Sequence, residues 1–254
     1  GKKIEECRFV VNGAGAAGIS CSRFYITAGA KRENFILCDS KGVIRKGRTD
    51  LTPEKAEFAV ETEARTLADA IKGADIFLGF SAPNCVTAEM VKTMAPGPVI
   101  FAMANPVAEI FPDVALAAGA AVVGTGRSDF PNQINNVLGF PGIFRGALDV
   151  RAKDINEAMK LAASQALAEL AAEPVPAGVK KVLAEAYPAD AAAGMFDSKG
   201  GVNVNCVIPK PFDPRVVPRV ARRVAEAAMK SGVAQLDIGD LDAYEKSVAE
   251  RLGK

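Results

Sequence analysis

The order of elements predicts a doubly wound parallel α/β sheet followed by a helical C-terminal extension. Three observations carry that reading. Short runs that are apolar throughout alternate with segments of helical spacing, as in a sheet covered on both faces. Three of the strand-like runs end on Asn12, Asp39 and Gly79, residue types that open turns. After Gly139-Phe140-Pro141-Gly142 the texture changes to long Ala-rich amphipathic stretches.

Arg8–Asn12 is a buried strand running into Gly13, and Ala14–Ala28 has helical spacing and stops at Gly29. Asn34–Asp39 is a second strand closed by an acid. Thr66–Ile71 reads as a helix, Ala74–Gly79 as a third strand, Thr87–Met94 as another helix, Pro98–Met103 as a fourth strand and Ala121–Thr125 as a fifth. Right-handed crossovers between such strands give the doubly wound fold. Asp154–Glu173 is a long helix halted by Pro174 and Pro176, 177–201 is ambiguous, Val216–Ser231 is a helix ending at Gly232, and Asp242–Leu252 is the last. The expected division is a dinucleotide-binding domain over 1–150 and a helical segment over 151–254 packing on it.

Composition narrows the classes. With 49% hydrophobic and 24% charged residues in 254, the chain has ample material for a core. A formal charge of +1 leaves no general electrostatic attraction for nucleic acid, and the one basic cluster, Arg215, Arg219, Arg222 and Arg223, reads as a solvated helix face. Five scattered cysteines without a C-x-x-C pair fit reduced thiols in the cytoplasm rather than a disulfide framework or zinc site. No apolar run reaches the roughly 18 residues that span a bilayer, and the N-terminal residues do not read as a signal peptide. The chain has no histidine, which excludes imidazole bases, Ser-His pairs and His-ligated metals.

Gly13-Ala14-Gly15-Ala16-Ala17-Gly18 is a G-x-G-x-x-G turn between a strand and a helix, the context in which the pattern marks a Rossmann-type site for NAD or NADP. Gly13 permits the tight turn, Gly15 lets the backbone approach a pyrophosphate, and Gly18 lets the helix sit against the strand. Asp39 ends the next strand, where an acid accepts from the adenosine ribose and favours NAD. Ser40, Lys41, Arg45, Lys46, Arg48 and Lys55 place donors nearby that suit a 2′-phosphate, so NADP stays open. Asn105, held before Pro106, and the amide cluster Asn132-Gln133-Ile134-Asn135-Asn136 lie at strand ends. There they are either turn formers or ligand contacts.

These motifs together resemble one family. Asn12–Gly18, Asp39-Ser40-Lys41-Gly42-Val43-Ile44 with Lys46-Gly47-Arg48, Ala104-Asn105-Pro106, the run Thr125–Arg151, and Ile208-Pro209-Lys210-Pro211-Phe212-Asp213-Pro214 are similar to the cofactor-binding half of malic enzyme, especially the short prokaryotic type. The resemblance implies an oxidoreductase that converts L-malate to pyruvate and CO2 with NAD(P) and Mg2+ or Mn2+, homo-oligomeric in its complete form. It implies that Asn105 and Asn135 contact the dicarboxylate, that Asn105 and Asn136 lie on the nicotinamide side, and that Ser81 and Ala82 lie near the cofactor ribose. The family's catalytic lysine and tyrosine and its metal carboxylates belong to an N-terminal domain whose motifs are not found here, so this chain carries no assigned catalytic or metal residue. It is expected to be a segment of a longer enzyme, inactive alone. Two other readings stand beside this one: a self-sufficient dehydrogenase using Lys210 as base, and a non-enzymatic dinucleotide-sensing module.

Overall fold

The computed structural model describes residues 2–197 and 200–253. The chain forms two compact units that divide after Ile134, ahead of the boundary at 150 expected from sequence.

The first unit holds a six-stranded sheet in the order β3-β2-β1-β4-β5-β6. Strands β1 (Phe9–Asn12), β2 (Phe35–Asp39), β4 (Ile76–Gly79), β5 (Val99–Ala102) and β6 (Val122–Thr125) are the five read from sequence, and all pair in parallel. The two-residue β3 (Gly42–Val43) pairs antiparallel with β2 and was not expected. It is too short for a periodic signal and is set by the turn through Ser40-Lys41 and by Gly42 at φ 99°.

Alternate side chains leave the sheet on opposite faces. Phe9, Val11, Phe35, Leu37 and Leu78 pack with Ile19 and Phe58 on one side. Val10, Phe77, Ile100 and Val123 pack with Ala70, Val91 and Ala115 on the other. Helix α1 (Ala16–Thr27) supplies Ile19, while α3 (Leu67–Ala70), α4 (Ala88–Lys92) and α5 (Pro112–Ala117) cover the second face; a short α2 (Pro53–Ala56) precedes them. Both faces are thus covered, which is why the strands read as unbroken apolar runs. Thr66 caps α3 through a reciprocal pair with Asp69, and Thr87 caps α4.

The second unit is helical. Helices α6 (Phe140–Asp149), α7 (Glu157–Ala172), α10 (Val216–Lys230) and α11 (Leu241–Arg251) enclose a core of Leu138, Val150, Met159, Leu170, Val220, Val224 and Val248. The ambiguous stretch contains α8 (Ala177–Ala186) and α9 (Pro188–Ala192), which pack on Met195 and Phe196. Helix α6 falls in a stretch to which the sequence reading assigned no element. Pro141 sits in the first turn, where its missing N–H costs nothing. The glycines are contact points: a Cβ at Gly142 would lie 2.6 Å from Val220 Cβ, and one at Gly146 would lie 2.4 Å from the Ala221 carbonyl oxygen. Small residues one turn apart let α6 and α10 touch backbone to backbone.

The basic face expected to be solvated is engaged instead. Arg219 binds Glu173 at 2.8 Å and Glu245 at 2.9 Å, Arg222 binds Asp242 at 2.6 Å and Glu245 at 3.1 Å, and Arg223 binds Glu169 at 2.7 Å. Arg215 forks onto Asp213. Acids from α7 and α11 meet the arginines of α10, so the cluster clamps helices together, which no single-helix pattern reveals. No helix among the described residues is long and apolar enough to cross a membrane.

Candidate dinucleotide site

The chain leaves β1 at the point where the sheet order reverses: β2 lies on one side of β1 and β4 on the other. In an open parallel sheet the crevice beyond the carboxyl ends of the strands at this switch is where ligands lie. Gly13 occupies it with φ 111°, and its N–H donates to the Cys38 carbonyl at 2.9 Å. A Cβ at Gly13 would lie 2.4 Å from the Phe80 carbonyl oxygen, and one at Gly18 would lie 2.0 Å from the Gly13 carbonyl oxygen. Those two glycines are demanded by the protein's own packing.

Gly15 differs. It is the N-cap of α1 with extended backbone, φ −88° and ψ −170°, and a Cβ there would meet nothing within 4 Å. Being glycine, it offers no side-chain cap to the first-turn N–H groups. Packing does not require a glycine at this position, and the space in front of it is open. That combination fits an anion seated against the helix N-terminus. Ala14 is buried, and Ala16 and Ala17 are exposed in the first turn.

Beyond β4, Ser81 and Ala82 are exposed. The Asn12 amide at the end of β1 donates to Ser81 Oγ at 2.6 Å and to Cys85 Sγ at 3.2 Å. Beneath them lies a residue missed from sequence, Glu109, fully buried at 0% exposure. Its carboxylate accepts from the Ser81 N–H and the Ala104 N–H, each at 3.0 Å. Gly79 makes room for it: a Cβ there would lie 2.4 Å from the Glu109 carboxyl carbon. The available signal was a lone acid inside the apolar run Ala108-Glu109-Ile110.

Asp39 stands at the end of β2 beside exposed Ser40. Its carboxylate takes both guanidinium nitrogens of Arg48 at 2.9 and 3.0 Å, Lys55 Nζ at 2.8 Å and the Lys41 N–H at 3.0 Å. Burial alone would raise the carboxyl, but the hydrogen bonds from Arg48 and Lys55 outweigh it and hold the group at about 2. Arg48 continues to Asp50 at 2.9 Å, and Lys41 meets the same acid at 2.9 Å. The cations expected to be loose surface donors are thus partly consumed by Asp39, whose charge is balanced rather than free.

Asn105 is exposed just past β5, and its bond to Pro106 is cis. Of the second amide cluster, Asn132 is structural, buried at φ 56° and donating to the Val123 carbonyl at 3.1 Å. Asn135 and Asn136 begin the second unit, both exposed, with Asn135 Oδ1 capping the Val137 N–H at 3.0 Å. Lys210 is 5% exposed, paired with Asp190 at 2.6 Å and set over the Tyr187 ring at 5.2 Å. The ammonium is thus enclosed by its own counter-ion and an aromatic ring. Among the described residues no three Cys, Asp or Glu side chains gather where they could hold a metal ion.

A glycine turn at the switch point, an uncapped helix start, and an acid at the end of the neighbouring strand define the class: a nicotinamide-dinucleotide-binding α/β domain of the dehydrogenase kind. Comparison with known proteins makes this specific. The family model described as "Malic enzyme, NAD binding domain" matches residues 1–184, and the chain belongs to that family. It is 50% identical over 253 residues to the NADP-dependent malic enzyme of Rhizobium meliloti, covering 99% of this chain and 32% of the relative. It is 48% identical over 247 residues to the NAD-dependent malic enzyme of the same organism, covering 96% and 30%. The crystal structure of Entamoeba histolytica malic enzyme superposes with a TM-score of 0.81 at 38% identity, over 98% of this chain and 48% of that one. The chain therefore spans about a third of these bacterial relatives and about half of the amoebal enzyme.

Proposed function

We propose that this chain is the cofactor-holding portion of an enzyme that oxidatively decarboxylates L-malate to pyruvate and CO2, and that it supplies no catalytic group of its own. The observation that carries the binding half of this reading is Gly15, a glycine that packing does not require, at an uncapped helix start on the sheet's switch point. The pyrophosphate rests against the N–H groups of Gly15, Ala16 and Ala17. Asp39, and Ser40 beside it, face the adenosine ribose. Ser81 and Ala82 face the second ribose, and Asn105 and Asn136 the nicotinamide. Asn105 and Asn135 serve the malate carboxylates, as neutral donors that add no charge of their own. The bound dinucleotide supplies hydride acceptance. The lysine, tyrosine and divalent cation of the family come from outside this chain.

Relatives named for NADP and for NAD both match, and Asp39 neutralised by Arg48 and Lys55 accommodates either. The five free thiols support a reducing, cytoplasmic setting. Homo-oligomerisation of the complete enzyme belongs to the same reading and rests on the family resemblance.

Titration of NADH and NADPH by the enhancement of cofactor fluorescence tests binding. Malate-dependent reduction of NAD(P)+ is then measured with the chain alone and with an N-terminal half of a full-length relative added. The expected results are saturable binding and turnover only in the mixture. Robust turnover by the chain alone would refute the assignment of catalysis elsewhere.

A further inference from the structure

We propose that Glu109 is a positioning residue for the nicotinamide half of the dinucleotide, an inference that rests on the cofactor lying along the strand ends as argued above. Its carboxylate is fully buried and has no cation paired with it among the described residues. Burying a carboxylate without a counter-charge is costly unless hydrogen bonds replace its water. Pairing of β4 with β5 does not need it, because the ladder from Ile76↔Val99 to Gly79↔Ala102 already joins the two strands.

Glu109 acts where that ladder stops. The last bond between the strands runs from the Met103 N–H to the Gly79 carbonyl at 3.2 Å. Just beyond, Ser81, two residues after Gly79, and Ala104, one after Met103, both present N–H donors, which cannot pair with each other. A carboxylate is the group that satisfies two converging donors at once, and it thereby fixes the width of the gap between them. The backbone of the same segment braces the loop after β4, with the Asn84 N–H donating to Ala108 and the Val86 N–H to Glu109, each at 3.0 Å. Ser81 in turn takes the Asn12 amide. One hydrogen-bonded chain, Asn12–Ser81–Glu109–Ala104, locks the ends of β1, β4 and β5 and sets the base from which Asn105 projects. The three atoms nearest a Cβ built at Gly79 all belong to this carboxyl group.

The consequence is one-sided. The glycine turn and Asp39 hold the adenosine end on the β1–β2 side, and Glu109 governs the β4–β5 side. In Glu109→Gln an amide NH2 faces one of the two N–H donors, so one charge-assisted bond is lost. NADH, or NADPH if the wild-type chain prefers it, then binds about tenfold more weakly, while ADP affinity stays within about twofold of wild type. A thermal melt checks that the variant is folded. Equal losses for the dinucleotide and ADP, or no loss for either, overturn the positioning role. A wild-type chain that binds neither ligand overturns the underlying site reading, and the proposal with it. Gly79→Ala reaches the same carboxylate by displacing it with a Cβ, and the same split between NADH and ADP is expected. A measurement on the wild-type chain needs no substitution: NADH shifts the Ser81 and Ala104 amide resonances in a 15N-correlated NMR spectrum and ADP does not. Equal shifts with ADP overturn the proposal.

Discussion

Replacing Gly15 with alanine separates ligand binding from folding more cleanly than any other change in the turn. A Cβ at this position meets no protein atom within 4 Å, so overpacking contributes nothing. The cost to the fold is limited to the N-cap, where alanine is a poorer residue than glycine by up to about 1 kcal/mol. The same substitution at Gly18 puts a methyl 2.0 Å from the Gly13 carbonyl oxygen and forces α1 away from the strand, at about 1–3 kcal/mol or more. For the cofactor the order inverts. The methyl at residue 15 occupies the space a pyrophosphate needs and holds it off the helix N–H groups. Losing one charge-assisted hydrogen bond, worth about 1.5–3 kcal/mol, weakens binding by about 10- to 100-fold. The assay is a cofactor fluorescence titration paired with urea unfolding of both variants. Gly15→Ala that binds NADH like wild type would show that the pyrophosphate is not seated at this turn.

The other predictions concern single groups. Asp39 has a folded pKa of about 2, below its ordinary 3.8, so its ion pairs add stability above about pH 4 that is lost as pH falls toward 2. The amount is about 2 kcal/mol. Urea midpoints of wild type and Asp39→Asn therefore differ at pH 5 and converge near pH 2, and a difference independent of pH would disprove the linkage. Asp39→Ala weakens NADH more than NADPH, because it removes a ribose acceptor and frees Arg48 and Lys55; unchanged NADH affinity would remove Asp39 from the site. Lys210→Ala removes a buried ammonium and leaves the half-buried Asp190 without its cation, which costs about 1–3 kcal/mol by thermal melting with dinucleotide affinity intact. Loss of cofactor binding without loss of stability would reopen a functional role for that lysine. Tyr244→Phe deletes a hydroxyl that donates to Asp149 at 2.8 Å and lowers stability by about 1–2 kcal/mol, read from the urea midpoint.

The five parallel strands, the glycine turn and the acid after β2 were legible in the sequence because each depends on near neighbours along the chain. A doubly covered strand must be apolar on both faces, and a strand-to-helix turn at φ 111° must be glycine. The same local logic gave no reading of α6. Gly142 and Gly146 are breakers by propensity, yet they exist for Val220 and Ala221, some 75 residues later in the chain. Arg219, Arg222 and Arg223 read as a wet face because their partners, Glu169, Glu173 at the end of α7, Asp242 and Glu245, sit on other elements. Lys210 was a plausible base until Asp190 and Tyr187 enclosed it.

By itself, then, the sequence determined the doubly wound architecture, the dinucleotide turn and, through its longer motifs, the family. Tertiary structure decided which glycine faces open space and which two are spent on packing. It also decided that Asp39 is held by two cations, and that a buried glutamate joins the ends of β4 and β5. The physical reason is range. Backbone conformation and apolar periodicity are encoded within a few residues. Ion pairing, close approach and the satisfaction of buried donors are settled between elements that meet only when the chain is folded.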